Sequence, residues 1–129
     1  MNGYLLDTNA ILFALSIPEK LSSSASAAIL AGPNLVSAVS YWEVMLKSMK
    51  GKLEVDDPRS WWSDALDQLA ATPLALRPEH IARLYTLPPH HQDPFDRVLI
   101  AQAIHEGLML VSCDTAFPAY AEAGLRFID

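Results

Sequence analysis

The chain has 129 residues, near the commonest size for one domain, so a single domain over residues 1–129 is expected. A net charge of -6 and a pI of about 5.0 exclude broad electrostatic binding of nucleic acid, which depends on phosphate neutralisation by Lys and Arg, and any such contact must be local. Hydrophobic residues make up 51% of the chain, enough for a core, yet no apolar run is long enough to span a bilayer. Asp7 interrupts the N-terminus before a signal-type apolar stretch develops, so a soluble, unprocessed, cytoplasmic protein without membrane contact is expected. The lone cysteine, Cys113, excludes an internal disulfide and a Cys-based zinc site, in keeping with a reducing compartment, and with no His following it Cys113 is a poor thiol nucleophile.

In chain order, Gly3 to Leu6 reads as a first strand and Ala10 to Leu15 as the body of a helix that stops by Pro18. A second helix runs from the Ser-rich LSSSASAAIL, with serine as its N-cap, to the stop at Gly32 and Pro33. Asn34 to Ser37 is a brief strand, followed by a helix through SYWEVMLKSMK that ends at Gly51. Asp57 and Pro58 form a cap and first-turn pair, and Trp61, Trp62, Ala65, Leu66 and Leu69 then fall at core spacing, which makes these tryptophans packing residues rather than a base-stacking platform. Pro73 to Leu76 is a third strand, Pro78 to Tyr85 a helix and LPPHHQ a stiff loop. A helix then runs from the DPFD motif to Glu106 and stops at Gly107, and LMLVS is a fully apolar strand of the kind that parallel sheets bury. Four short strands separated by helices of crossover length predict an α/β domain with helices on both faces of the sheet.

In such a sheet, ligands bind outside the carboxyl ends of the strands. Asp7 directly follows the first strand, Asp114 comes two residues after LMLVS, and Glu43 lies in the first or second turn after NLVS, while Asp96 opens the helix before the last strand. Each has a local alternative. Asp7 can cap a helix, Asp114 can open a turn, and Ser40 with Glu43 matches a capping box. Asp93 suits an N-cap with Pro94 at N1, and Asp96 then favours the positive end of the helix dipole. Together, however, four carboxylates at one sheet edge repel one another by roughly 4 kcal/mol per pair at about 4 Å and an effective dielectric of about 20. A divalent cation relieves this, and hard oxygen ligands select Mg2+ or Mn2+. Positive charge is uneven, with Lys47, Lys50 and Lys52 within six residues, Arg59 following and no later lysine; taken alone, this is a solvated face.

LLDTNAIL, VSAVSYWEV and DPFDRVLIAQAIHEGLMLVSCD, in this order and spacing over nearly the whole chain, resemble the acidic motifs of PIN-domain ribonucleases, in particular the VapC-like toxins of toxin–antitoxin pairs. The resemblance implies a three-layer α/β/α sandwich on a mostly parallel sheet and a metal-dependent endoribonuclease that leaves a 5′-phosphate and a 3′-hydroxyl. Asp7, Glu43, Asp96 and Asp114 match the acidic quartet, with Asp7 and Asp96 as direct ligands of Mg2+ or Mn2+, and Glu43 and Asp114 acting through water or on a second ion. Thr8, Asn9, Ser40 and Ser112 would orient the carboxylates. Lys47, Lys50, Lys52, Arg59 and Arg97 then become phosphate guides for RNA, with Arg97 alternatively pairing an acid. Partners implied are a cognate antitoxin, whose C-terminal segment covers the cleft, and a second copy in a homodimer. His80, His90, His91 and His105 have no assigned role, and His90 and His91 read as surface histidines of the loop. Two other readings are a catalytically weak member acting as a protein-binding module, and a Mg2+-binding phosphoryl-accepting receiver domain, which the single Asp7 and the lack of a late lysine disfavour.

Overall fold

The computed structural model describes residues 2–114 and 116–129. Strand β1, Tyr4–Leu6, pairs in parallel with β2, Asn34–Ser37, on one side and with β4, Met109–Val111, on the other. Outside these lie β3, Ala71–Leu74, against β2 and β5, Arg126–Ile128, against β4, both also parallel. The sheet order is β3-β2-β1-β4-β5, so the chain winds outward from β1 to one edge and then crosses to the other side. The crevice between β1 and β4 is therefore the topological switch point, the place where ligands bind in open parallel sheets.

Strand periodicity divides the core in two. Leu5, Leu35 and Leu110 face one layer with Leu99, Ile100, Phe117 and Tyr120, while Leu6, Val36 and Val111 face the other with Ile11, Ala28, Trp61 and Ala65. Helices α1, Thr8–Ser16, α2, Ser23–Ala31, and α4, Pro58–Gln68, supply the second layer, and α6, Pro94–Glu106, supplies the first. Helix α3, Ala38–Met49, gives Val39 to one core and Val44 to the other. The result is the expected three-layer α/β/α sandwich.

Helix starts follow the sequence closely, because short polar side chains bond locally. Ser22 Oγ accepts from Ala25 N–H at 3.0 Å, Asp57 Oδ1 from Arg59 N–H at 2.9 Å, and Asp93 Oδ1 from Phe95 N–H at 2.8 Å. Gly107 ends α6 in the left-handed region at φ 68°, where a Cβ would be strained. Four features differ from expectation. The third strand lies two residues earlier, at Ala71–Leu74, and Pro73 is accommodated because β3 is an edge strand that needs no ladder donor on its outer side. The helix expected over 78–85 splits into α5, Pro78–Ala82, and a 3-10 turn, Arg83–Thr86. A 3-10 segment, Phe117–Ala123, and the edge strand β5 follow β4, both too short or too irregular for a periodicity signal. Finally, Ser37 rather than Ser40 caps α3, accepting from Val39 N–H at 3.0 Å, so the capping-box reading of Ser40 and Glu43 does not hold.

Candidate functional site

All four predicted acids lie at the carboxyl edge of the sheet. Asp7 leaves β1 and is 2% exposed; its Oδ1 accepts from Ala10 N–H at 2.7 Å, so it caps α1 as well. Burial pushes its carboxyl up to about 6, against the lowering bonds from Ser112 and Ala10, and the charges of Asp114 and Glu43 add to the rise. Asp96 stands one turn into α6 and is pushed up to about 7, first by burial, then by the charges of Asp93, Asp7 and Glu43, with His91 opposing. Glu43 stands in the second turn of α3, 4% exposed; its Oε2 accepts from Lys47 Nζ at 2.7 Å, and its buried Oε1 has no hydrogen-bond partner among the described residues. Asp114 follows β4. Burial opposes its ionisation, but bonds from Ala116 N–H and His91 outweigh that and hold its carboxyl below the usual range.

The hydroxyl-bearing residues split into two groups. Ser112 is buried and accepts from Asp114 N–H at 2.9 Å, and its hydroxyl acts to lower the Asp7 carboxyl, so it stands between the acid after β1 and the acid after β4. Thr8 and Ser40 bond each other, Oγ1 to Oγ at 3.0 Å, and lock α1 against α3. Asn9 is exposed on the first turn of α1, directly after Asp7 and Thr8.

The expected phosphate guides are dispersed. Lys47 sits at the cluster, where the bond to Glu43 and then the charges of Glu43, Asp93 and Asp96 raise its ammonium. Lys50 and Lys52 are exposed at the far end of α3, with Lys50 about 10 Å along the axis from Glu43. Arg59 is a solvent-exposed partner of Asp57 at 2.9 Å. Arg97 forms no ion pair with an acid among the described residues: its guanidinium donates to the carbonyls of Pro88 at 2.9 Å and Leu87 at 3.3 Å and to the Tyr120 hydroxyl at 3.3 Å, fastening the 87–92 loop to α6.

That loop brings in a residue that the sequence reading passed over. His91 is no surface histidine. Its side chain is 14% exposed, with Nε2 2.7 Å from Asp114 Oδ2 and 3.2 Å from Asp96 Oδ2. One potential ligand atom from each of His91, Asp96 and Asp114 lies within 4.8 Å of the others. The only sequence signal was position, two residues before a recognisable N-cap. Cys113 is exposed, and partial desolvation with the charges of Asp7 and Asp129 pushes its thiol up, the reverse of what a thiolate nucleophile requires.

The family model for the PIN domain matches residues 4–123. The chain belongs to the PIN domain family. Within it, a Mycobacterium tuberculosis (strain ATCC 25618 / H37Rv) protein, Ribonuclease VapC22, is 30% identical over 116 residues, 88% of either chain. The fold is similar to that of VapBC2 from Rickettsia felis bound to a promoter DNA fragment, with TM-score 0.67 and 14% identity over 99% of this chain and 98% of that one. DNA-bound VapBC from Salmonella typhimurium gives TM-score 0.67 and 17% identity over 100% and 98%. Membership removes the receiver-domain reading. In this PIN domain the donor set fits a hard divalent cation: carboxylate oxygens predominate, two carboxyls are held well above their ordinary value by burial and mutual charge, and a buried Glu43 oxygen lacks a partner among the described residues.

Proposed function

We propose that this PIN domain is a Mg2+- or Mn2+-dependent endoribonuclease and the toxin of a toxin–antitoxin pair. The observation that carries the metal-dependent reading is Glu43 Oε1, buried and unpaired in a cluster of carboxylates that repel one another. An orphaned buried acceptor costs about 1–3 kcal/mol, so a cation ligand there removes a penalty as well as supplying chemistry.

Asp7, Asp96 and Glu43 would hold the ion, with Asp114 acting through water. A divalent cation held there would supply Lewis acidity towards water and towards a phosphodiester oxygen, the chemistry that phosphodiester hydrolysis requires. Ser112 orients Asp7 through its hydroxyl, and the Asp93 cap sets the turn that carries Asp96. Lys47 limits the negative potential at the cluster and provides the cation beside an incoming phosphate, with Lys50 and Lys52 just past the end of the same helix. Arg59 and Arg97 are left out of the substrate contacts, since both are committed elsewhere.

RNA is the substrate this reading names, in line with the ribonuclease relative, and a cognate antitoxin is the partner. A cavity of about 540 Å³ between α1, the 53–57 loop and α4 contains none of the four acids. Its apolar floor, with Leu12, Leu15 and Trp61, and its acidic rim of Glu54, Asp56, Asp57 and Asp64 suit an antitoxin segment that is apolar on one side and basic on the other. Exposed Trp42, Met49, Ile81 and Tyr85 offer apolar surface to a second copy, which sedimentation can test.

Incubation of the purified protein with structured and unstructured RNA, in Mg2+, Mn2+ or EDTA, is expected to give cleavage that EDTA abolishes. The Asp7→Asn variant is expected to give none. Metal-independent cleavage, or equal activity in the variant, would overturn the proposal, and inactivity in every condition would leave a protein-binding module.

A further inference from the structure

We propose that His91 is a positioning residue that donates one hydrogen bond from Nε2 to Asp114, committing that carboxylate to the protein and leaving Asp96 for the cation. This rests on the metal-dependent reading of the site. The bonding around the ring decides the proton's place. Nδ1 accepts from the backbone N–H of Asp93 at 3.1 Å, so it carries no hydrogen, and the ring proton sits on Nε2. A protonated Nε2 cannot ligate a metal; it can only donate.

Two carboxylate oxygens lie near that single proton, and the distances rank them: Asp114 Oδ2 at 2.7 Å and Asp96 Oδ2 at 3.2 Å. Asp114 Oδ1 meanwhile accepts from Ala116 N–H at 2.8 Å, so both oxygens of Asp114 have protein donors. Among the described residues, Asp96 has only the longer approach, and Glu43 Oε1 has none. The four acids are thus unequal before any ion arrives.

His91 is itself held from three sides. Its backbone N–H donates to the Tyr120 hydroxyl at 2.8 Å, and its ring packs on Phe117 at 5.8 Å between centroids. The third hold is the Asp93 N–H. Tyr120 and Phe117 are fully buried in the core, and Arg97 binds the same hydroxyl, so the histidine is anchored to the centre of the molecule. Second partners that orient a metal's carboxylates change metal affinity by about 10–100-fold when removed.

The test needs no RNA. A long-range 1H–15N correlation spectrum of the labelled wild-type protein is expected to show His91 with Nε2 protonated and Nδ1 bare, both without metal and in saturating Mg2+. A proton on Nδ1, or loss of the Nε2 proton when Mg2+ is added, overturns the proposal, the second result marking His91 as a ligand. In calorimetric Mg2+ titrations His91→Ala is expected to weaken binding about tenfold, whereas His91→Gln, whose amide nitrogen reaches the Nε2 position, stays within about threefold of wild type. Unchanged affinity in His91→Ala, or His91→Gln no better than His91→Ala, also overturns it. Should the alanine variant fail to fold by circular dichroism, the wild-type spectrum still decides. A wild type that takes up no Mg2+ overturns the site reading instead, and normal Mg2+ binding without RNA cleavage overturns only the nuclease reading.

Discussion

Asp93 and Asp96 are three residues apart and do different work. Asp93 satisfies the first N–H groups of α6, whereas Asp96 carries a charge that burial and three neighbouring acids disfavour. Asp93→Ala is therefore expected to lose about 1 kcal/mol in urea unfolding while keeping metal-dependent cleavage. Asp96→Asn should fall to the EDTA background in cleavage, with a metal-free fold as stable as wild type or more so, because the amide removes a repelled charge at nearly constant shape. If both variants keep their stability and lose activity alike, Asp93 belongs to the site. Both aspartates were legible in the sequence, since the Asp-Pro start and the one-turn spacing are local facts. The place of His91 was not, because its partners Asp114 and Phe117 are more than twenty residues away and only folding brings them together.

At the scale of elements, α3 matters most to the site, and its start was the least legible. Ser37 ends β2 and caps α3 at once, and it also donates to Gln102 Oε1 at 2.6 Å in the interior. Gln102 in turn reaches the Ala75 carbonyl at 3.4 Å, so the serine ties α3 to α6. Ser37→Ala is expected to cost roughly 2 kcal/mol, from the lost cap and the orphaned amide oxygen, measured by urea denaturation. With both acid-bearing helices loosened, Mg2+ affinity should fall as well. The sequence offered Ser40 and Glu43 as a capping box because the motif is local; the strand pairing of Ser37 beside Leu74 fixes the cap three residues earlier.

For the whole molecule, the acid cluster should show itself in the pH dependence of stability. Asp7 and Asp96 rise from 3.8 to about 6 and about 7 on folding, so the folded state binds protons more tightly than the unfolded chain. Their contribution is full below about 3.8 and is lost as pH rises through about 6 and then about 7. Asp57, Asp114 and Glu106 shift the other way, and their contribution is lost only below the ordinary carboxylate range. Lowering the pH from about 8 to about 5 should therefore raise the melting temperature of the metal-free protein, and the Asp7→Asn, Asp96→Asn double variant should show a flatter profile. Equal slopes in the two proteins would mean that the cluster's charges are relieved by some other means.

The sequence by itself determined a serine-capped start for the second helix, the helix starts at Asp57 and Asp93, the stop at Gly107, the buried parallel strands and the acids that follow them. These depend on backbone bonding within a few residues and on apolar runs, which are properties of the chain before it folds. Tertiary structure alone decided that Glu43 is buried with one oxygen unpaired among the described residues, that Arg97 reaches the Tyr120 hydroxyl, and that His91 faces two of the acids. Each of those depends on which distant groups crossover connections bring within about 3 Å, and a linear pattern carries no record of that distance.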